Sequence, residues 1–243
     1  MNRAQTNEKL IVVTGGSKGI GRAVVARFLR AGYAVATCAR SAADLAALTT
    51  ELRAEVPESV LHTLPADLSQ QADCARFAAF VLGLGLPVEV LVNNAGAFTP
   101  GRLQDEPADG SQLRQMLAVN LLSAYDVTLP LLPGLIAQGH GHIFTVCSTA
   151  SITAYPNGGS YGIAKHALLG FTKNLREELK VSGVRVTAVL PGPTLTASWA
   201  GVALPVERFV QSEDVAEAIF SAFSLSPHAV VEELLIRPQL GDL

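Results

Sequence analysis

Cysteine is scarce in this sequence. The 243 residues include three, Cys38, Cys74 and Cys147, an odd number at wide spacing. No CxxC or Cys/His ligand pattern occurs, which argues against a disulfide framework and against a zinc or other metal site. Charge is also sparse. Asp, Glu, Lys and Arg make up 16% of the chain, and 18 basic against 21 acidic residues leave a net charge of −3. With no basic run, a nucleic-acid partner is not expected. No apolar run reaches the ~20 residues of a helical membrane span. The most apolar stretch, residues 77–92, is broken by Gly83, Gly85, Pro87 and Glu89. Residues 1–9 are polar and lack the apolar centre of a secretion signal, so a cytoplasmic protein without a membrane partner is expected.

What is abundant is apolar surface. Hydrophobic residues form 49% of the chain, enough to build a large core without a covalent staple and too much for a disordered chain. Short β-branched runs fall at 10–14, 34–38, 60–64, 88–92, 142–146, 184–190 and 230–236. Several are apolar at nearly every position, as in parallel strands covered on both faces. Helical patterns lie between them, at 20–31, 43–55, 71–82, 112–136, 161–181 and 213–224. Gly32 is placed to end the first helix, and Pro130 and Pro133 are expected to bend or end the long fourth one. The repeated strand–helix alternation predicts an α/β fold: one doubly wound Rossmann-type domain over residues 1–243, with a parallel sheet of about seven strands. Ligands then bind beyond the carboxyl ends of the strands.

Directly after the first strand comes Thr14-Gly15-Gly16-Ser17-Lys18-Gly19-Ile20-Gly21, where a helix opens. A dinucleotide-binding turn uses glycines to turn tightly, to approach the pyrophosphate and to pack helix on strand. The helix N-terminus offers unpaired N–H groups to the anion. Gly15, Gly19 and Gly21 have the right order, although the first gap is three residues and not the single residue of GxGxxG. At the end of the second strand, where an acidic residue would accept the ribose 2′-OH of NAD, stands Ala39. Arg40 and Ser41 follow, and Lys18 and Arg22 flank the glycine turn. These cations suit a 2′-phosphate, so NADP(H) is the expected cofactor, with NAD(H) possible.

Further along, Tyr161 and Lys165 are four residues apart and share a helix face. A phenol is a poor acid at neutral pH, and a neighbouring ammonium favours the phenolate and lowers its pKa. Tyr161 is therefore a candidate proton donor to a carbonyl oxygen. Asn93-Asn94-Ala95-Gly96 follows the fourth strand, and Ser148 follows the fifth, thirteen residues before Tyr161.

With the glycine turn, these motifs resemble the short-chain dehydrogenase/reductase family from Leu10 to about Ile236. The resemblance implies roles residue by residue. Tyr161 is the general acid of reduction. Lys165 lowers its pKa and binds the nicotinamide ribose. Ser148 orients the substrate oxygen. Asn120 supports a proton relay through water. Asp67 and Leu68 contact the adenine. Asn93, Asn94, Ala95 and Gly96 form a turn along the cofactor. Pro191, Gly192, Thr194 and Thr196 belong to the loop that holds the nicotinamide carboxamide. The departures are Ser151, where many members have glycine, the Gly162-Ile163-Ala164 centre of the Tyr-Lys motif, and Glu89 where Asp is frequent. The family also pairs its two long helices across a two-fold axis, and leucines crowd both here, so a homodimer or homotetramer is expected.

The substrate is less defined. Candidate pocket residues are Phe98, Thr149, Ser151, Tyr155, Leu195 and Trp199, with the segment from Leu195 to Val210 as a lid. They suit a carbonyl on a moderately apolar or aromatic body. The C-terminal pattern, ending Gly241-Asp242-Leu243, resembles sepiapterin-reductase-like bacterial members, with Asp242 a candidate for a pterin amine; a 3-oxoacyl or general ketone reductase stands beside it. The other class in play is a catalytically silent cofactor-binding sensor or scaffold, for which loss of Tyr161 or Lys165 would be expected. A methyltransferase has no use for that pair, and the turn lacks the Lys-Ser/Thr of a kinase P-loop.

Overall fold

The computed structural model describes residues 8–196 and 204–241. Seven parallel strands form one sheet: β1 (Leu10–Thr14), β2 (Ala34–Ala39), β3 (Leu61–Pro65), β4 (Val88–Asn93), β5 (Gly141–Val146), β6 (Val184–Pro191) and β7 (Glu233–Ile236), in the spatial order β3-β2-β1-β4-β5-β6-β7. The order reverses between β1 and β4, which opens a crevice at their carboxyl ends. The helices are α1 (Gly19–Arg30), α2 (Ala42–Glu55), α3 (Gln71–Gly83), α4 (Ser111–Leu117), α5 (Ser123–Gln138), α6 (Gly159–Leu179) and α7 (Ser212–Phe223).

The uniformly apolar strands are explained by coverage on both faces. Ile11, Val13, Val35 and Phe144 pack with Phe28 of α1 and Ile219 of α7 on one side. Their neighbours Leu10, Val12, Ala34 and Ile143 pack with Phe77 of α3, Leu131 of α5 and Leu175 of α6 on the other. Each buried Leu or Ile contributes roughly 1.5–3 kcal/mol through this burial.

Two expectations change. The prolines do not break the long helix: α5 runs through Pro130 and Pro133 to Gln138. Both are exposed, so water can serve the carbonyls they leave unpaired. The irregularity lies earlier, where a π-helical turn, Ala118–Leu122, joins α4 to α5. The last strand is also shorter than its sequence pattern. It begins at Glu233; just before it the Glu232 carbonyl accepts from the Ala188 N–H at 2.9 Å and the Val231 carbonyl from the Thr187 hydroxyl at 2.5 Å. Gly32 follows the end of α1 with φ +88°, as its sequence position suggested.

The structure adds one continuous helical stretch of interest, Ser111–Gln138. By length and composition alone it is able to cross a membrane. Here it forms part of the sheet's covering layer, with Val127, Leu131 and Leu135 in the core.

Candidate active site

The carboxyl ends of the strands bring the motifs together. After β1 the chain enters the glycine turn with Gly15 at φ +69° and Gly19 at φ +54°, conformations that side chains rarely tolerate. A Cβ on Gly21 would lie 2.3 Å from the Gly15 carbonyl, so only glycine lets α1 approach so closely. Lys18 at the N-cap of α1 makes no side-chain capping bond, and the first turn holds no acidic residue. The first N–H groups of α1 therefore face outward with the positive end of the helix dipole, which fits a pyrophosphate. Across the turn, Thr196 lies against Gly19; a Cβ there would be 3.0 Å from the Thr196 methyl.

Thr14, which carried no role in the sequence reading, joins β1 to β4. Its hydroxyl accepts from the backbone N–H groups of Asn94 and Ala95, both at 2.9 Å. The Asn94 amide donates back to the carbonyls of Thr14 (2.9 Å) and Gly15 (3.1 Å). Buried Asn93 instead ties β4 to α5 through the Thr128 hydroxyl at 2.8 Å. These bonds stitch the strands that flank the crevice.

The cationic cluster is smaller than expected. Lys18 pairs with Asp44 at 2.7 Å and Arg22 with Glu51 at 2.8 Å, both partners lying on α2. Arg40 is exposed and has no carboxylate partner among the described residues. Ser41 caps α2, its hydroxyl accepting from the Asp44 N–H at 3.1 Å. Asp67 accepts from the Ser69 backbone and hydroxyl at 3.1 and 2.9 Å, so it shapes its own turn and does not cap α3. Leu68 is turned into the core beside Cys74, which leaves only its backbone for a nucleotide. Gly192 donates to the Ile236 carbonyl at 2.8 Å, and the Thr194 hydroxyl to the Gly192 carbonyl at 2.9 Å, which fixes the loop after β6.

The catalytic candidates converge. Ser148 lies two residues past β5 and caps the short turn Thr149–Ser151, its hydroxyl accepting from the Ala150 N–H at 3.1 Å and acting on the phenol of Tyr161 in the first turn of α6. Buried Lys165, one turn later, donates to the Val146 carbonyl at 2.9 Å and lies 5.9 Å from the centre of the Tyr161 ring. Gly96 is pressed against this group: a Cβ would stand 2.7 Å from Asn120 Oδ1 and 3.6 Å from Lys165 Nζ.

The electrostatics differ from the expectation. Burial pushes the Tyr161 phenol up to about 12; the hydrogen bond from Ser148 opposes this without overcoming it. Burial also lowers the Lys165 ammonium to about 8. Desolvation dominates both groups, favouring the neutral phenol and the neutral amine, and Lys165 is not among the groups that lower Tyr161. The phenol is therefore protonated at neutral pH, as an acid requires.

Asn120 sits in the π-helical turn and is buried. Its Oδ1 accepts from the Ala97 N–H at 3.2 Å, and its Nδ2 donates to the carbonyls of Ala97 (3.0 Å) and Met116 (3.1 Å). The side chain is committed to the backbone after β4 and clamps that segment. Ser151 is likewise not a pocket wall. It is buried, and its hydroxyl accepts from the Ser148 N–H at 3.2 Å, holding the turn that presents Ser148. Phe98 packs edge-on against Tyr161, with ring centres 4.9 Å apart. Thr149 is half-buried, while Tyr155 and Leu195 are exposed. Trp199, with residues 197–203 of the proposed lid, and Asp242 lie outside the described residues.

A family model described as short chain dehydrogenase matches residues 9–204. The chain belongs to this family. The sepiapterin reductase of Chlorobaculum tepidum is 30% identical over 242 residues, covering 96% of this chain and 98% of that protein. An alcohol dehydrogenase from the archaeon Thermococcus sibiricus, solved with 5-hydroxy-NADP, superposes with a TM-score of 0.87 at 29% identity, covering 95% of this chain and 97% of that one. Actinorhodin polyketide ketoreductase, solved with NADPH, gives 0.85 at 26% identity, covering 97% and 98%. As a short-chain dehydrogenase the chain is an oxidoreductase, and the glycine turn, Ser148, Tyr161 and Lys165 lie where its sheet topology places a ligand.

Proposed function

We propose that this short-chain dehydrogenase transfers a hydride between NADP(H) and a neutral carbonyl or alcohol of moderately apolar or aromatic character, with residues 1–243 acting as one cofactor-binding and catalytic unit. The observation that carries the reading is the convergence of Ser148, Tyr161 and Lys165 beyond β5, with buried Lys165 anchored on the Val146 carbonyl at 2.9 Å and 5.9 Å from the centre of the Tyr161 ring. The bound nicotinamide supplies the hydride. Ser148 holds the carbonyl oxygen, and Tyr161 delivers its proton to it as negative charge develops. The Lys165 ammonium stabilises the phenolate that remains. A silent sensor would have no need of this arrangement. The aromatic and aliphatic surroundings, Phe98, Tyr155 and Leu195, favour a neutral substrate. The likeness to a sepiapterin reductase supports a pterin carbonyl as one member of that class, beside 3-oxoacyl and simple ketones.

The preference for NADP(H) rests on Arg40, since Lys18 and Arg22 are paired. Arg40→Asp should weaken NADPH binding and narrow or reverse its advantage over NADH. Loss of such a charge-assisted contact costs roughly 1.5–3 kcal/mol, about tenfold to a hundredfold in the ratio of Kd values. Cofactor titrations of both proteins give that ratio, and equal affinities for NADPH and NADH in the unmodified protein contradict the assignment.

We also propose a symmetric dimer, or a tetramer built from dimers. The leucines divide: Leu131, Leu135, Leu168 and Leu175 are buried, whereas Leu122, Tyr125, Leu129 and Ile136 are exposed on one side of the α5 region. These four recur at helical spacing, and a second copy would cover them. Light scattering should give at least twice the chain mass, and Leu129→Glu should shift the species toward monomer. An unmodified protein that stays monomeric at micromolar concentration shows this face to be ordinary surface.

A further inference from the structure

The segment between β4 and α4, residues 97–110, is held to the catalytic group at two points. Asn120 grips Ala97 at one end. At the other, Glu106 grips the residue immediately before Tyr161: Glu106 Oε1 accepts from the backbone N–H of Ser160 at 2.8 Å, and Oε2 accepts from the Ser160 hydroxyl. Ser160 is buried.

The fit around this clamp is tight. Gly159 has φ +43°, and a Cβ there would lie 2.6 Å from both Glu106 Oε1 and the Gly101 carbonyl. Gly101 donates to the Asn157 carbonyl at 3.0 Å, and Asn157 is the one non-glycine residue with positive φ among the described residues. The first turn of α6 has no capping side chain of its own, since Gly158 stands at the N-cap. A carboxylate from a distant segment takes that place, where the helix dipole favours negative charge. Between the two anchor points, Phe98 leans on the Tyr161 ring.

We infer that Glu106 is a positioning residue for proton transfer, fixing the first turn of α6 so that the Tyr161 hydroxyl stays aligned with Ser148. This rests on the reading of Tyr161 as the acid. A misplacement of about 1 Å costs up to a hundredfold in rate. Glu106→Ala, which removes both contacts, should therefore lower kcat by about tenfold to a hundredfold. NADPH affinity should change little, because Glu106 touches neither the glycine turn nor Arg40, and Lys165 keeps its own anchor on the Val146 carbonyl. Glu106→Gln keeps an oxygen for the Ser160 N–H and an amide for its hydroxyl, so it should recover most of the lost rate.

The probe is reduction of phenanthrenequinone, a neutral aromatic dicarbonyl, with active sites counted by NADPH fluorescence titration. The solvent isotope effect on kcat separates positioning from a purely structural cap: a misaligned phenol makes proton transfer slower and raises the effect, whereas partial unfolding only lowers the number of sites. A Glu106→Ala protein with unmodified kcat per site and an unmodified isotope effect overturns the inference. If that variant does not fold, Glu106→Asp, one methylene too short to span both donors, takes the same test. Tyr161→Phe is run in parallel. Activity in that variant removes the Tyr161 reading and the inference with it; an inactive Tyr161→Phe beside a fully active Glu106→Ala removes the inference alone.

Discussion

Replacing Tyr161 by Phe should lower turnover by roughly two to four orders of magnitude, the range that a positioned general acid contributes. The ring keeps its shape and its edge-on contact with Phe98, so folding and NADPH binding should survive. What disappears is the only proton donor of suitable chemistry that Ser148 touches among the described residues. The phenol's position, pushed up to about 12 by burial, adds a pH signature. The acid form persists throughout the neutral range, so loss of the phenol's own proton sets no alkaline limit on ketone reduction near neutrality; any such limit comes from Lys165. The reverse oxidation needs the phenolate, so it should quicken as pH rises. Steady-state rates in both directions, measured with the variant and across pH, check this. Near-normal reduction by Tyr161→Phe would remove the mechanism.

Replacing Lys165 by Met should harm turnover and cofactor affinity together. Loss of one preorganised electrostatic group in a dry site costs about a hundredfold to a thousandfold in kcat. Loss of a charged contact to the ribose costs roughly 1.5–3 kcal/mol, or about tenfold to a hundredfold in Kd. Stability should not fall in parallel, because Met fits the apolar surroundings and removes a buried ammonium that is costly to desolvate. The pH behaviour follows from the direction of the shift. Burial lowers Lys165 to about 8, so the ammonium is present below that value and is lost above it. In the unmodified protein kcat/KM for reduction should decline as pH rises through about 8. The variant should lack that decline. A variant that keeps it shows that another group titrates there.

The sheet was legible because both faces are covered. β1 covers the run from Leu10 to Thr14 read from the sequence, since burial on both faces leaves no alternation of polar positions to blur its limits. The glycine turn and the Tyr161–Lys165 pair were legible because their spacing is local. Contacts between distant segments were not. The cations Lys18 and Arg22 can be read from the chain, but their partners Asp44 and Glu51 are placed beside them only when α2 packs next to the turn. Ser151 reads as a pocket residue until its hydroxyl is seen bonded to Ser148. Glu106 lies in an irregular segment with no periodicity, and only the fold brings it to Ser160. The π-helical turn at Asn120 has no spacing signal, and the proline rule pointed further along the helix, to positions where solvent tolerates them. Four-residue spacing places Lys165 near Tyr161 but does not reveal how deeply both are buried, and that depth decides the direction of both pKa shifts.

Deuterium transfer tests the central claim most directly. NADPH deuterated at the transferable C4 position of its nicotinamide is incubated with the unmodified protein and a panel of neutral aromatic and aliphatic ketones, and the products are examined by mass spectrometry and NMR. The account predicts an alcohol carrying one deuterium at the former carbonyl carbon and a hydroxyl proton drawn from water. Tight binding of the cofactor with no labelled alcohol from any carbonyl would contradict it, and would return the chain to the class of cofactor-binding proteins that perform no turnover.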